Sequence, residues 1–179
     1  MDVFEAIKKR RSVRSYEEKP IPMKKLIKIL DAARHSPSAM NMQPWNFIIV
    51  QEKERRELLA KFCPFGKFLS QSPVVVIGCG DPKSKFYIHD VCIALQTMVI
   101  AATAEGLGTC WIGGFDEEKI KREFGIPEKL RIVAIIAMGY EKKKTDISGK
   151  IIHLIRPKKE LKEIVHLERY GNPLIIKKK

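Results

Sequence analysis

The chain has 179 residues, of which 45% are hydrophobic and 31% are charged, and it contains no internal repeat or low-complexity linker. This composition predicts a single globular domain over residues 1–179 and excludes a disordered chain; no apolar run reaches the roughly 20 residues of a membrane span. The net charge of +13 favours anionic ligands or polymers, although many of the lysines lie in segments typical of exposed turns and a tail.

Targeting and metal-binding patterns are not found in the sequence. The N-terminus carries its charge after the apolar residues and has no signal-peptide core, so we expect a cytoplasmic protein. The four cysteines and four histidines show no C-x-x-C or H-E-x-x-H spacing. We therefore expect buried free thiols and no metal site.

The first half of the chain predicts two helices and two strands around a polar loop. Apolar residues at helical spacing predict helices over 2–10 and over 22–34, the second with Pro22 in its first turn and with Leu26, Ile27, Leu30 and Ala33 on its apolar face. Pro37 and its polar neighbours predict a loop over 36–45. Branched apolar runs predict buried strands over 46–50 and 73–80, with a charged helix between them.

The second half is dominated by a long apolar segment. From Tyr87 to Glu105 there is neither glycine nor proline, and the apolar residues occupy more than one face of the predicted helix. Because a second subunit is the natural cover for such a helix in a small protein, we expect a homodimer. A strand and glycine turn over 108–115, a helix capped by Asp116 and a buried strand over 130–140 follow.

Three arginines fall within five positions of the basic segment IKKRRSVRSY, residues 7–16. Arg10 and Arg14 share one side whether this segment is helical or extended, but only an extended chain adds Ser12 to that side, with Val13 inward. Guanidinium groups and a hydroxyl suit a phosphate because they donate charge-assisted hydrogen bonds. The spacing leaves open a solvated helix end, a surface stripe for nucleic acid and a pocket for one small anion.

Glycine pairs occur at Gly78/Gly80 and Gly106/Gly108, but neither has the third glycine of a dinucleotide fingerprint. Four segments occur in a characteristic order along the chain: RRSVRSY at 10–16, PSAMNMQPW at 37–45, GLGTCWIGGF at 106–115 and KELKEIVHLERYG at 159–171. With these motifs, the chain resembles the FMN-dependent nitroreductase family over residues 2 to about 172.

The resemblance implies an α+β fold, in which a central, mostly antiparallel sheet is flanked by helices and two chains form an intertwined homodimer with FMN at the interface. Residues 150–179 are then expected to form a C-terminal extension that packs on the partner subunit. It also implies the FMN-binding residues, which are Arg10, Arg11, Ser12, Arg14, Pro37, Ser38, Ala39, Asn41, Gly113, Gly114, Arg156 and Lys158.

Each group of these residues has an implied position. Arg10, Arg11 and Ser12 would bind the phosphate and ribityl chain, although an extended chain points Arg11 away. Arg14 would lie toward the pyrimidine edge, where a fixed cation stabilises the reduced flavin. The loop residues would come from the partner subunit, Gly113 and Gly114 would approach the ring, and a backbone N–H at Gly114 could reach flavin N5.

The implied reaction is hydride transfer from NAD(P)H through flavin N5 to a small oxidised acceptor (a nitroaromatic, a quinone or a flavin) by a ping-pong mechanism. No side chain is named as catalytic, because the cofactor carries the chemistry. The alternatives are a same-fold flavoenzyme with a specialised substrate (a reductive dehalogenase or a flavin-processing enzyme), a non-catalytic FMN-binding protein and a basic nucleic-acid-binding module.

Overall fold

A computed structural model describes residues 1–142 and 157–174, which belong to two compact units, Met1–Thr145 and Asp146–Lys179. In the first unit the strands are β1 (Trp45–Val50), β2 (Val74–Gly80), β3 (Gly108–Ile112) and β4 (Arg131–Gly139). Its α-helices are α1 (Val3–Lys9), α2 (Met23–Arg34), α3 (Lys53–Lys61), α4 (Tyr87–Ala104) and α5 (Glu117–Phe124). Short 3₁₀ turns occupy Ala39–Asn41 and Lys67–Ser70.

The four strands form one sheet in the order β1-β2-β4-β3, and every neighbouring pair is antiparallel. β2 and β4 are therefore central and carry continuous apolar sequences, as strands covered on both faces require. β1 and β3 occupy the two edges. The predicted α+β architecture with an antiparallel central sheet is confirmed.

Helices cover both faces of this sheet. Along β2, Val75 and Ile77 belong to one apolar cluster, whereas Val74 and Val76 belong to another, as the two-residue period of a strand requires. The first cluster includes side chains of α3 and α5, and the second includes those of α2 and α4. The core is thus divided into two layers by the sheet.

Helix α2 differs in detail from the prediction. Its buried residues are Leu26, Ile29 and Ala33, whereas Ile27 is 58% exposed. Pro22 is the N-cap residue and not part of the first turn. The prediction is confirmed for Leu26 and Ala33 and wrong for Ile27, because several apolar positions of this helix satisfy helical spacing and only the tertiary packing selects among them.

The long helix α4 crosses the sheet where β2 has glycines. A Cβ atom at Gly78 would lie 2.7 Å from Leu95 Cδ1, and one at Gly80 would lie 2.7 Å from Tyr87 Cδ2. The two glycines therefore serve close packing of helix on strand. The mean hydropathy of α4, 1.4 over 18 residues, is high enough for a membrane span, but 44% of this window is buried within the protein, as in a core helix.

The second unit contains the short helix α6 (Leu161–Ile164), which begins with a capping box between Glu160 and Glu163. After it, His166 forms an antiparallel bridge with Pro173. The expectation that residues 150–179 pack on a partner subunit stays a prediction.

Glu117 joins the start of α5 to the start of β4. Its carboxylate accepts two hydrogen bonds from the Arg131 guanidinium, at 3.0 and 2.8 Å, and one from the Ile132 N–H at 2.9 Å. Burial opposes ionisation of Glu117, but these bonds outweigh it, and its pKa lies below the ordinary value. The carboxylate is therefore stabilising when it is ionised.

Replacing Glu117 by Gln should lower the free energy of unfolding at pH 7 by about 1–3 kcal/mol, because bonds to a charged acceptor are lost. A depressed pKa contributes stability above the unfolded value of about 4.3, and this contribution is lost as the pH falls through the folded value. The difference between wild type and variant in urea unfolding should therefore shrink between pH 6 and pH 3. Glu118→Gln, at the exposed neighbouring position, is the control, and an equal loss there would contradict the assignment.

Candidate functional site

The basic segment leaves α1 and becomes extended. Helix α1 ends at Lys9, and Arg10 has φ −55° and ψ 128°, outside the helical region. Ser12 forms a parallel bridge with Thr109 of β3, and the Val13 N–H donates to the Thr109 carbonyl at 2.8 Å. Val13 is buried, with 3% exposure. The extended alternative therefore holds, and Arg10 and Ser12 follow the same side of the chain.

Close packing holds this segment against the sheet edge. A Cβ atom at Gly108 would lie 2.7 Å from Val13 Cγ2, so Gly108 makes room for the Val13 side chain. The buried Tyr16 hydroxyl donates to the Val13 carbonyl at 2.6 Å. Farther along, the Glu17 N–H donates to the Tyr140 carbonyl at 2.9 Å. The segment is thus fixed at both ends of its extended part.

The two neighbouring arginines differ in their partners. Arg11 forms an ion pair with Glu141, which lies 130 residues away in the sequence. Within residues 1–142 and 157–174, the Arg10 side chain has no hydrogen bond or ion pair. Both arginines line a cavity of about 220 Å³, together with Glu141 and the Gly106–Gly108 turn. Arg10 is thus the guanidinium in this cavity that is available to an anion.

The second predicted segment is a strained loop over residues 36–43, which we call the 36–43 loop. Met40, Asn41 and Gln43 have φ values of 50°, 56° and 47°, in the left-handed region. The Ser38 hydroxyl accepts from the Gln43 N–H at 2.9 Å. The loop positions its backbone by internal hydrogen bonds, and Met40 is 95% exposed.

Helix α4 anchors this loop at two points. The Ser36 hydroxyl donates to Thr97 Oγ1 at 2.9 Å, and the Ala39 N–H donates to Asp90 Oδ1 at 3.2 Å. Asp90 was not among the residues predicted from the sequence. The signal that could have found it is an acidic residue within the apolar run of a helix that must be buried.

The third segment follows β3 directly. Gly113 and Gly114 come after Ile112, the last residue of the strand, and both are exposed. A Cβ atom at either glycine would have no neighbour within 4 Å. Their backbone is therefore open to a ligand, and it directly follows the strand that pairs with Ser12.

The structure places the basic segment and the glycine turn beside β3, and it separates the 36–43 loop from both. The basic segment extends the sheet at the β3 edge, whereas the 36–43 loop leads into β1 at the opposite edge. Arg156 lies outside the described residues. Lys158 is exposed and belongs to the second unit. Within the chain as described, the loop is not adjacent in the sheet to the arginines.

Three of the four cysteines, Cys63, Cys79 and Cys110, are buried. Burial raises the pKa of Cys63 to about 11 and that of Cys79 to about 12, so both thiols are protonated at neutral pH. Cys110 lies in the core with 2% exposure. Across residues 1–142 and 157–174, no group of three His, Cys, Asp or Glu side chains is arranged to hold a metal ion.

Comparison with known proteins decides the family. Residues 7–76 and 64–140 match the model of the nitroreductase family. The chain belongs to the nitroreductase family. It is 39% identical, over 148 residues and 78% of each chain, to a protein of Methanothermobacter thermautotrophicus that carries the provisional name NADH dehydrogenase/NAD(P)H nitroreductase.

Solved structures of the family share the fold. The chain resembles a nitroreductase family protein from Clostridium novyi NT with a TM-score of 0.78 and 31% identity over 97% of both chains. It resembles an FMN-dependent nitroreductase from Clostridium difficile R20291 with a TM-score of 0.81 and 28% identity. That second match covers 93% of this chain and 99% of the other.

Replacing Gly108 by Ala should destabilise the edge on which the basic segment lies. The added methyl group would meet the Val13 side chain at 2.7 Å, so we expect a loss of about 1–3 kcal/mol in the free energy of unfolding. Gly113→Ala is the matched control, because its methyl group would meet nothing within 4 Å. Urea unfolding of both variants checks the difference, and equal midpoints would contradict the packing argument.

Proposed function

We propose that this nitroreductase family member is an FMN-dependent oxidoreductase that takes hydride from NAD(P)H and passes it to a small oxidised acceptor. The observation that carries the proposal is the Arg10 guanidinium, which lines a cavity beside the extended segment and has no partner among the described residues. The names of related proteins, which include FMN and NAD(P)H, support the same cofactors.

The residues at the β3 edge fit the phosphate end of FMN. Arg10 and Ser12 follow one side of an extended chain, and a guanidinium and a hydroxyl both donate hydrogen bonds to phosphate oxygens. Arg11 is already neutralised by Glu141. We therefore assign the phosphate to Arg10 and Ser12, with Arg11 in a structural role.

The ring end of FMN would lie farther along the same edge. Thr109, the partner of Ser12, precedes Gly113 by four residues, or about 13 Å of extended strand. The open backbone at Gly113 and Gly114 admits close approach of a flat ring. Arg14 would supply a positive charge at the pyrimidine edge. When bound, FMN supplies the hydride-accepting chemistry, and the protein binds and orients it.

We further propose that two copies of the chain complete each site. The FMN-contacting loop residues Pro37, Ser38, Ala39 and Asn41 then come from the second copy, because the loop and the arginines lie at opposite edges of one sheet. Exposed apolar side chains support this assembly, including Phe4 and Ile7 on α1 and Ile88 and Ile93 on α4, with exposures of 42–71%. Apolar surface of this kind is typical of an interface.

The hydride acceptor is proposed as a chemical class and not as one compound. A nitroaromatic, a quinone or another flavin would take hydride in a ping-pong cycle, and a specialised substrate such as a halogenated compound stays an alternative. The nucleic-acid alternative is less well supported by the basic segment, because Lys9 pairs with Glu5 and Arg11 pairs with Glu141. The segment is thus less cationic than its sequence suggests.

Purified protein that is incubated with FMN and then separated from free FMN should keep a flavin absorbance. This absorbance should bleach on anaerobic addition of NADH or NADPH, and it should return when a quinone or nitroaromatic is added. Titration of each nucleotide at a fixed FMN concentration measures the preference. A protein that remains colourless after incubation with FMN would contradict the cofactor assignment. Flavin that stays oxidised with both nucleotides would contradict the enzyme and favour a binding protein.

Replacing Arg10 and Arg11 separately by Ala should affect FMN binding unequally. Arg10→Ala should raise the FMN Kd by about 10- to 100-fold, because a charged hydrogen bond of about 1.5–3 kcal/mol is lost. Arg11→Ala removes the same charge from the adjacent position and should raise the Kd by less than Arg10→Ala does, because it loses no bond to the phosphate and acts only through the Glu141 charge that it leaves unpaired in the cavity. Flavin fluorescence quenching measures both. Equal effects would show that net charge, and not position, governs binding.

A further inference from the structure

Asp90 lies in the first turn of α4 and is only 4% exposed. One carboxylate oxygen, Oδ1, accepts from the Ala39 N–H at 3.2 Å. The other oxygen, Oδ2, is buried and has no hydrogen-bond partner in the described part of the chain. Burying a carboxylate with one unpartnered oxygen lowers the stability of the fold. We therefore expect Asp90 to make an interaction that a smaller or apolar side chain could not make.

The 36–43 loop is held by hydrogen bonds within the loop and by bonds to α4. Three of its non-glycine residues, Met40, Asn41 and Gln43, hold left-handed backbone conformations, and such conformations persist only where the surroundings enforce them. Met40 is 95% exposed, so burial of its side chain contributes little to the conformation of the loop. Hydrogen bonds must therefore carry most of the restraint.

The two hydrogen bonds from the loop to α4 differ in position and in their acceptors. The bond from Ser36 to Thr97 joins two neutral hydroxyl groups and lies before the left-handed residues. The bond from the Ala39 N–H to Asp90 lies immediately before Met40, where the left-handed backbone begins. Of these two bonds, the one to Asp90 therefore acts at the left-handed backbone itself.

We propose that Asp90 is a positioning residue: its buried carboxylate holds the Ala39 amide and thereby fixes the left-handed 36–43 loop in the conformation that binds FMN. The inference rests on the proposed function, in which Ser38, Ala39 and Asn41 contact FMN. Asp90 acts through the backbone and does not itself touch the cofactor. The rigid helix α4, which packs across the sheet, provides the fixed base for this contact.

Two variants at this position separate the contribution of the acceptor from that of the charge. Asp90→Ala removes the acceptor, and we expect the FMN Kd to rise about tenfold or more, because the loop then populates its binding conformation less. Asp90→Asn keeps an oxygen that can accept from the Ala39 N–H, and we expect a Kd within about threefold of wild type. Recovery in the Asn variant identifies the hydrogen bond as the cause.

A second readout requires no FMN. Hydrogen exchange of the protein without added flavin should show faster exchange in peptides covering residues 36–43 in Asp90→Ala, with intermediate exchange in Asp90→Asn. Peptides from β2 and β4 should exchange as in wild type. This readout tests the loop directly, so it remains informative even if wild-type protein fails to bind FMN, which would refute the proposed function alone.

Ser72→Ala is the matched control for general destabilisation. The buried Ser72 hydroxyl bonds to Val74 and Met138 at the end of β2 that is remote from the loop. This variant should lower the melting temperature without changing FMN affinity or exchange in the loop. The proposal is overturned if Asp90→Ala binds FMN as wild type does, if its loop exchange is unchanged, or if Ser72→Ala loses FMN to the same extent.

Discussion

The pairing of the basic segment with Thr109 is the contact on which the position of the candidate site depends. An edge strand offers unpaired N–H and carbonyl groups, and Ser12 and Val13 use those of β3. Because this pairing keeps the chain extended beyond α1, Arg10 and Ser12 follow one side while Val13 enters the core. A single backbone interaction thus covers an edge of the sheet and sets the direction of the polar side chains.

Small residues make this arrangement possible. Gly108 lets the Val13 side chain approach β3, and Gly78 lets α4 approach β2 through Leu95. In each case the missing Cβ atom is replaced by a neighbouring apolar side chain, so that the glycine improves packing between elements. The glycine-rich pattern of the sequence therefore reflects two different roles. Gly78 and Gly108 pack the core, whereas Gly113 and Gly114 leave open backbone beside the edge.

Local sequence patterns predicted most elements of the fold, because strand and helix periods are properties of neighbouring residues. Asp116 caps α5, as the sequence predicted. The partners of individual side chains were not predictable in this way. The Arg11–Glu141 pair spans 130 residues, and the contact of Asp90 with Ala39 spans 51. Such pairs depend on how the sheet orders its strands, which spacing along the chain does not encode.

The separation of the loop from the arginines is the strongest physical reason to consider two chains together. β1 and β3 are the outer strands of a four-stranded sheet, so about 14 Å of sheet, or three strand spacings, lies between the two edges. A ligand that contacts the basic segment of one copy and the 36–43 loop of a second copy would bridge them. Because a ligand that binds only the assembled state stabilises that state, FMN binding and dimer formation would then be linked. In that arrangement the Asp90 contact in one copy would influence the affinity of the site that begins at Arg10 in the other.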